Sequence, residues 1–255
     1  MNSQPAISLI IAAYNRAGFV RLAIQSVLKQ TRSDFELLVW DDGSTDDTFA
    51  AAREAAQGDP RVRVMQGANQ GAAGAINAAA KFVSAPYFGW IDSDDLLAQT
   101  ALAETSAILD ARPEIGVVYT NYLVIDSTGA VKGEGARCRL PYSRDRLLVD
   151  FMTFHFRLMR RALFDEIGAV DPSLPYVEDY DLCLRLSEIT QFHHLAKPLY
   201  FYRVHPQSVS KQHRLKQIEM ASEAIRRALA RRKMDQKYEL EVEYRASFHL
   251  KRRSS

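Results

Sequence analysis

Four short apolar runs in the first 92 residues, separated by segments of helical periodicity, constrain the fold more than any other feature of this sequence. The first run, at residues 7–13, is almost continuously apolar, which is typical of a strand buried on both faces of a parallel sheet. Similar runs follow at residues 35–40, 62–65 and 87–91. The alternation of strands and helices predicts an α/β fold with a doubly wound, mostly parallel sheet flanked by helices.

The regular alternation ends after residue 98, and the chain divides there into two predicted halves. Residues 99–210 carry predicted helices at 100–111 and 160–167 and strand-like stretches at 115–126, 151–159 and 192–204. Residues 211–255 are predicted to form a basic helical extension, with two charged helices over 212–250. We therefore predict one domain over 1–210, made of the halves 1–98 and 99–210, followed by the extension.

Three carboxylates follow the fourth apolar run directly, in the sequence Asp92-Ser93-Asp94-Asp95. In open α/β sheets the ligand crevice lies at the carboxyl ends of the strands, so these acids are predicted to border it. Such a cluster repels itself unless a positive charge lies among the carboxylates, and Mg²⁺ or Mn²⁺ prefers oxygen ligands. The alternative for an isolated motif of this kind is a solvated turn that caps the next helix.

The charge of the chain is unevenly distributed. Its total is +2, but residues 211–255 hold thirteen Lys and Arg against six Asp and Glu, which leaves the preceding residues mildly acidic. No apolar run approaches the ~18 residues of a membrane span, and the first residues show no charged leader followed by an apolar stretch. The two cysteines, Cys138 and Cys183, predict no disulfide framework and favour a reducing compartment.

An ordered series of motifs resembles the inverting glycosyltransferases of family 2, which have the GT-A fold. The series covers about residues 5–210 and keeps its order throughout. Its members are residues 10–16, 26–31, 35–45, 69–71, 92–95, 178–182 and 202–205. The resemblance implies a nucleotide-binding half at 1–98, a small acceptor-side and catalytic half at 99–210, and metal-dependent transfer of a sugar with inversion.

The resemblance also implies which residues bind the nucleotide. Ala12 and Tyr14 would line the base, and Asp42 would accept a hydrogen bond from a base N–H. Asp42 is preferred to Asp41, whose alternative role is to cap the following turn. Asp92 would contact the ribose or the metal. The implied donor is a nucleotide-diphosphate sugar, with a UDP-sugar favoured.

The remaining implied residues are metal ligands and a base. Asp94 would ligate Mn²⁺ or Mg²⁺, and His205 would be a further metal or diphosphate ligand, unless it is only structural. Asp179 would be the general base that takes the proton of the acceptor hydroxyl. The alternative for Asp179 and the neighbouring acids is capping of the helix that follows, where the dipole favours negative charge.

One departure from the family concerns the diphosphate. Members often carry a basic residue in the helix after the Asn-x-Gly motif, but here Ile76 stands at that place and no Lys or Arg precedes Lys81. Diphosphate binding would then rely on the metal, on His205, or on a cation such as Arg203 or Lys211.

These features predict an enzyme of polysaccharide, glycolipid or cell-envelope glycan synthesis that acts on a glycan or lipid-linked acceptor. No nucleic-acid partner is expected. The predicted location is cytoplasmic, with peripheral contact to an anionic membrane through the basic extension; the alternative for that extension is a solvated helix face. The competing hypothesis is a protein that binds a nucleotide sugar on the same fold without turnover. A dinucleotide site is disfavoured because the G-x-G-x-x-G spacing is absent, and a dehalogenase-type site because Trp40 stands where the nucleophilic aspartate should be.

Overall fold

The computed structural model describes residues 4–206, 208 and 212–243. Strands and helices alternate regularly over the first 92 residues and less regularly afterwards. The strands of the described chain are β1 (Ile7–Ala13), β2 (Phe35–Asp41), β3 (Val62–Gln66), β4 (Tyr87–Asp92), β5 (Leu96–Leu97), β6 (Ile115–Ile125), β7 (Val131–Glu134), β8 (Arg157–Arg160) and β9 (Gln191–Arg203). Its α-helices are α1 (Val20–Leu28), α2 (Thr48–Ala56), α3 (Gly71–Ala80), α4 (Ala101–Ala111), α5 (Arg161–Glu166), α6 (Glu178–Ile189) and α7 (Arg214–Arg231).

All these strands belong to one sheet of order β3-β2-β1-β4-β8-β6-β9-β5, with β7 added beside β6. The pairs among β1, β2, β3 and β4 are parallel. β8 is antiparallel to both β4 and β6, so β6 regains the direction of β4, and β9 is parallel to β6. The carboxyl ends of β1, β2, β3, β4, β6 and β9 therefore point to the same edge of the sheet, and that edge carries the site.

Helices cover both faces of the sheet because successive residues of each buried strand point to opposite faces. Ile10 and Trp90 belong to the apolar cluster beneath α3, α6 and α7. Leu9 and Ile91 belong to the cluster beneath α1, α2 and α4. A strand with apolar residues on both faces has no solvated side, which explains the nearly continuous apolar runs of the sequence.

The predicted doubly wound arrangement is present, with two differences in detail. The second half of the sheet is mixed, since β5, β7 and β8 pair in antiparallel fashion. Of the strand predicted at 151–159, only residues from Arg157 onward pair with neighbours, and the preceding aromatic segment forms part of the site instead. Neither difference could be read from hydrophobicity, because buried irregular segments are as apolar as strands.

The predicted extension forms one helix, α7, within the described residues, and residues 232–243 are not helical; residues 244–250 of the predicted second helix lie outside the description. α7 packs on α6, and its Ala224 and Ala228 are buried in the apolar cluster of that face. The boundary at residue 210 stays a prediction. Among the described residues, no helix combines the length and apolar character needed to cross a membrane.

Several basic side chains of α7 and the residue after it are engaged within the protein. Arg227 pairs with Glu223 and Asp171, and Arg231 pairs with Glu188. The largely buried Arg232 side chain donates a hydrogen bond to Ser187 Oγ at 2.8 Å. These contacts neutralise part of the charge on which the predicted membrane contact depends.

Candidate active site

A cleft of about 1290 Å³ opens at the carboxyl edge of the sheet. It extends from the end of β1, past the acidic loop after β4, to the amino-terminal turns of α6 and α7. The structure brings most of the predicted site residues into its wall. Those that line the cleft are Ala12, Tyr14, Asp42, Asp92, Asp94 and Asp179. His205 lies directly against Asp94, at 2.8 Å.

The ends of β1 and β2 form one end of the cleft. Tyr14 is 45% exposed there, so its ring is accessible to a ligand. The next residue, Asn15, has a φ of +52°, a region that asparagine tolerates better than most residues. Its Oδ1 accepts a hydrogen bond from Thr45 N–H at 2.9 Å, which ties the β1 turn to the β2 turn. The ring of Tyr14 and the two connected turns thus form one end of the cleft.

The two neighbouring aspartates at the end of β2 have different surroundings. The Asp42 carboxylate lines the cleft and accepts hydrogen bonds from the backbone N–H groups of Gln70 at 3.0 Å and Gly71 at 2.9 Å, at the start of α3. Burial raises its pKa. Asp41 is fully buried, and its carboxylate accepts from Ser44 N–H at 3.2 Å. Of the two aspartates, Asp42 lines the cleft, and its role in binding the base stays a prediction.

The acidic loop after β4 is held by two side chains, one that follows β1 and one that follows β9. Asp94 Oδ2 lies 2.8 Å from His205 Nε2 and 3.4 Å from Arg16 Nε. The His205 side chain is buried, and its ring lies 4.8 Å from that of Phe19. Asp92 remains 45% exposed in the cleft, yet the surrounding protein, followed by the charge of Asp94, raises its pKa to about 7. Desolvation and a neighbouring like charge each disfavour the charged form of a carboxyl group.

Arg203, at the end of β9, fixes the backbone of the same loop. Its N–H donates to Asp95 Oδ1 at 2.6 Å, its Nε to the Asp94 carbonyl at 2.6 Å, and its Nη1 to the Asp126 carbonyl at 3.0 Å. Only 2% of the residue is exposed. The sequence suggested Arg203 as a cation for the diphosphate; the residue does line the cleft, but its guanidinium is bound to carbonyl groups, which disfavours that role. Lys211, the other suggestion, lies outside the described residues.

The ligands for a divalent cation are present around this loop. One ligand atom each from Asp92, Asp95 and His155 lie within 4.8 Å of one another. Burial, aided by neighbouring arginines, lowers the pKa of His155, so its imidazole is neutral, which is the form that binds metals. Asp95 Oδ2 is buried without a hydrogen-bond partner among the described residues. Two carboxylates and an imidazole can together hold a divalent cation. The predicted pair Asp94 and His205 flanks this group.

The acids at the start of α6 lie on the other wall of the cleft. Asp179 Oδ2 is 3.3 Å from Arg157 Nη2, and the Arg157 side chain is only 3% exposed. The residue before α6, Val177, makes no side-chain cap, but Glu178, Asp179 and Asp181 all lie in the first turn of the helix, where the dipole favours negative charge as the alternative interpretation expects. Asp181 instead pairs with Arg185 at 2.7 Å and is buried away from the cleft wall. Asp179 is thus a fixed carboxylate that faces the cleft.

Glu178 is largely buried, and one of its carboxylate oxygens has no hydrogen-bond partner among the described residues. Burial, followed by the charge of Asp179, raises its pKa from 4.5 to about 7. The folded protein therefore holds this proton more tightly than the unfolded chain does. Since the unfolded chain loses the proton first, the stability of the fold must fall as the pH rises from about 4.5 to about 7.

We expect Glu178→Gln to remove this loss of folding stability at high pH. At pH 8 the variant should be more stable than the parent by up to about 3 kcal/mol, or roughly 5–10 °C in Tm, and at pH 4.5 the two should melt together. Thermal unfolding at both pH values measures the difference. An equal Tm at pH 8 would contradict the buried environment of this carboxyl group.

The segment before α6 is fixed by the last described helix and the residue that precedes it. Tyr176 has a φ of +70°, which is strained for a bulky residue. Its ring stacks on that of His213 at 4.5 Å, and its carbonyl accepts a hydrogen bond from Gln217 Nε2 at 3.1 Å. The amino-terminal end of α7 thereby holds the strained turn two residues before Glu178.

A mixed sheet with helices on both faces and an acid-lined cleft at its carboxyl edge defines the GT-A fold. A mannosyltransferase from Pyrobaculum calidifontis, solved with GDP-Man and Mn²⁺, shares it with a TM-score of 0.69 at 18% identity, over 89% of this chain and 65% of that one. S. aureus TarS residues 1–349, solved with UDP-GlcNAc, has the same fold with a TM-score of 0.67 at 19% identity. The match covers 88% of this chain and 72% of the TarS chain. The chain belongs to glycosyl transferase family 2, because that family's model matches residues 8–168.

Curated relatives lie in the same family. A hyaluronan synthase from Pasteurella multocida is 31% identical over 210 residues, which are 82% of this chain and 22% of the relative. A chondroitin synthase from Escherichia coli is 32% identical over 206 residues, 81% of this chain and 30% of the relative. The chain thus spans less than a third of the length of either synthase. The predicted family and fold are confirmed, and the roles given to single residues stay predictions.

Sequence reasoning missed three residues of the site: His155, Arg157 and Arg137. The first two lie in the segment that was interpreted as a strand, and Arg137 lies in a region where no motif was recognised. A signal was nevertheless present, since His155 and Arg157 interrupt an aromatic run, and arginine is almost never buried without a partner.

Proposed function

We propose that this domain transfers a sugar from a nucleotide-diphosphate sugar to an acceptor hydroxyl, with inversion at the anomeric carbon. The observation that carries the proposal is the placement of Asp92, Asp94 and Asp179 in one cleft at the carboxyl edge of a GT-A sheet. The first two acids come from the end of β4 and the loop after it, and the third comes from the first turn of α6, which also borders the cleft. Inversion needs a base on the side of the anomeric carbon opposite the departing diphosphate, and Asp179, on a different element from the loop acids, is the residue that we propose for this role.

The nucleotide is proposed to occupy the end of the cleft formed by β1 and β2. Tyr14 offers a ring for stacking, Ala12 an apolar floor, and Asp42 an acceptor for a base N–H, although its oxygens already accept two backbone hydrogen bonds. S. aureus TarS was solved with UDP and with UDP-GlcNAc, and the mannosyltransferase with GDP-Man. We favour a UDP-sugar as the donor here.

Asp94, His205, Asp92, Asp95 and His155 are the residues proposed to hold Mn²⁺ or Mg²⁺. A bound divalent cation would supply positive charge where the diphosphate leaves. The basic residue that family members often carry after the Asn-x-Gly motif is absent from this chain, so binding of the diphosphate would depend more strongly on that cation. Arg16, which lines the cleft beside Asp94, is a cation of the chain near the same place.

Asp179 is proposed as the general base. Arg157 holds its carboxylate in place, and the Arg157 guanidinium is itself fixed by the backbone carbonyl of Thr153 at 2.8 Å. A positioned carboxylate of this kind accepts the proton of the attacking hydroxyl as the new bond forms. The acceptor is then a glycan or a lipid-linked sugar, bound between Asp179 and the open side of the cleft.

Polysaccharide or cell-envelope glycan synthesis is the proposed setting, because the relatives named above are synthases of polysaccharides. The proposed location is the cytoplasm, with contact to an anionic membrane through exposed basic residues of α7 such as Arg226. The alternative is a domain that binds a nucleotide sugar without turnover, and it differs from our proposal in one measurable respect, the release of nucleotide diphosphate from the donor.

A thermal-shift screen of nucleotide sugars, with Mn²⁺ or with EDTA, tests the proposal. A donor at a hundredfold its Kd should add about 2.7 kcal/mol to the free energy of unfolding, or roughly 5–10 °C, and only when the cation is present. Released nucleotide diphosphate is then measured for the donor that binds. Binding without any release would favour the alternative, and no binding of any nucleotide sugar would contradict both.

A further inference from the structure

Arg137 lies on a short segment that is fixed to the rim of the cleft. This segment, the 3₁₀ turn Ala136–Arg139, follows β7. Gly135 N–H donates to the Tyr122 carbonyl at 2.9 Å, and Cys138 Sγ accepts from Tyr122 N–H at 3.3 Å. A Cβ at Gly135 would lie only 2.0 Å from the Tyr122 ring, so the close approach requires glycine. The backbone that carries Arg137 is therefore held firmly against β6.

The guanidinium of Arg137 rests on two aromatic rings, and its Nη1 lacks an acceptor within the described part of the chain. It lies 4.5 Å from the Phe154 ring centroid and 5.2 Å from that of Phe151. Its Nη1 is buried, and among the described residues neither a hydrogen bond nor an ion pair satisfies that atom. Arg157 shows the contrast, since its guanidinium stacks on the same Phe151 ring but is engaged with carbonyls and with Asp179. A buried charged donor without an acceptor is unfavourable, which indicates that a ligand supplies one.

The surroundings of this guanidinium suit a sugar ring. Tyr122, Phe151, Phe154 and Tyr202 line the cleft around Arg137. Aromatic rings offer flat apolar surfaces to the C–H faces of sugars, and a small number of polar groups then fix the orientation. The guanidinium adds a planar pair of donors that matches a carboxylate or a phosphate.

The position of this aromatic pocket favours the acceptor over the donor. The proposed nucleotide end lies at β1, β2 and α3, whereas Arg137 follows β7, on the far side of β4 and β8. Phe151 connects the pocket to the proposed base, because Arg157 contacts both the Phe151 ring and Asp179. A sugar in the pocket would therefore lie beside Asp179.

We propose that Arg137 binds an anionic group of the acceptor, a carboxylate of a sugar acid or a phosphate on a sugar, next to the hydroxyl that is glycosylated. This inference rests on the proposed function and adds to it the chemical class of the acceptor. Arg137 is then a residue that determines acceptor specificity. It takes no part in bond formation, and the step remains the displacement of the nucleotide diphosphate by the acceptor hydroxyl.

The test compares matched acceptors with the full chain, the donor that releases nucleotide diphosphate, and Mn²⁺. The probes are oligosaccharides that end in glucuronic acid, the same compounds after reduction of the carboxyl group to give glucose, and the corresponding glucose 6-phosphate compounds. Wild-type protein should prefer one acidic series over the neutral one by about 10–100-fold in kcat/KM. Whichever acidic series is preferred identifies the anion.

Arg137→Gln should abolish the preference, and Arg137→Lys should retain part of it, since it keeps the charge but loses the planar fork. The readout is the ratio of the two kcat/KM values, because a general loss of folding or donor binding lowers both. Arg139→Gln, at a residue of the same turn that does not line the cleft, is the matched control and should keep the wild-type ratio.

Three results would overturn the inference: equal use of neutral and acidic acceptors by the wild-type protein, an unchanged ratio in Arg137→Gln, or the same change in Arg139→Gln. Saturation-transfer NMR measures acceptor binding independently of turnover. If no acidic oligosaccharide bound the wild-type protein at millimolar concentration, the inference would also be overturned. Failure of the proposed function looks different, because the wild-type protein would then show neither cation-dependent donor binding nor nucleotide release.

Discussion

Asp94→Asn is expected to abolish sugar transfer and to remove the dependence of nucleotide-diphosphate binding on Mn²⁺. The Asp94 carboxylate is the acid of the loop that contacts both His205 and Arg16, so the substitution removes a negative charge from the proposed cation site. Stabilisation of a leaving group by a cation is worth several kcal/mol, and each 1.36 kcal/mol changes a rate tenfold. We therefore expect a loss of about 10³-fold or more in turnover, measured as released nucleotide diphosphate, and calorimetry should show weak UDP binding that EDTA no longer changes.

Two companion variants make this result specific. His205→Gln should reproduce the loss of cation-dependent binding if His205 is a ligand, and should leave it intact if the histidine only packs on Phe19. Asp47→Asn, at an exposed aspartate before α2, controls for the removal of a carboxylate as such and should behave as the wild-type protein does. Equal affinity of the wild-type protein for UDP with Mn²⁺ and with EDTA would exclude the cation from donor binding.

Asp179→Asn is expected to lower turnover by about 10²–10⁴-fold, the usual contribution of a positioned general base. Donor affinity should change little, because Asp179 lies on the wall opposite the nucleotide end of the cleft. The substitution keeps the shape of the side chain, and the amide that replaces the carboxylate still faces Arg157, although the ion pair is lost. Steady-state kinetics with saturating donor, together with calorimetry of UDP binding, separates the two effects.

Glu178→Gln is the matched control for this variant, since it removes a carboxylate at the adjacent position and should cost less turnover. Asp181→Asn is less suitable, because Asp181 is buried against Arg185 and its loss should destabilise the fold. Near-normal turnover in Asp179→Asn would assign the base elsewhere. A product that retains the anomeric configuration of the donor would rule out direct displacement altogether.

The first half of the fold follows from the sequence because each of its elements has an unambiguous pattern. Strands buried on both faces give continuous apolar runs, and in the helices between them apolar residues recur every three to four positions. The second half is harder, since β8 has only four residues and its direction is set by pairing with β4 and β6. No local signal in residues 151–160 reports on that pairing.

Some residues of the candidate site can likewise be predicted from the sequence, and others only from the structure. Asp92, Asp94 and Asp179 stand out in the sequence because acids after an apolar strand or before a helix are visible as motifs. Arg203 stands in a motif too, but its role depends on which carbonyl groups lie around it, and only the structure shows that they surround it. The position of Arg137 depends on Gly135, which lets the turn approach the ring of Tyr122. This is a tertiary contact that no local sequence pattern reports.

The strained turn at Tyr176 bears on the order in which the parts of a newly synthesised chain are completed. The sheet is complete once β9 has been made, at residue 203, but the contacts from His213 and Gln217 that hold this turn come from the start of α7. Until α7 has docked, both contacts are missing, so the backbone at Tyr176 lacks the interactions that hold its left-handed conformation. The turn that precedes Glu178 and the proposed base Asp179 is therefore completed by a helix that lies outside the sheet.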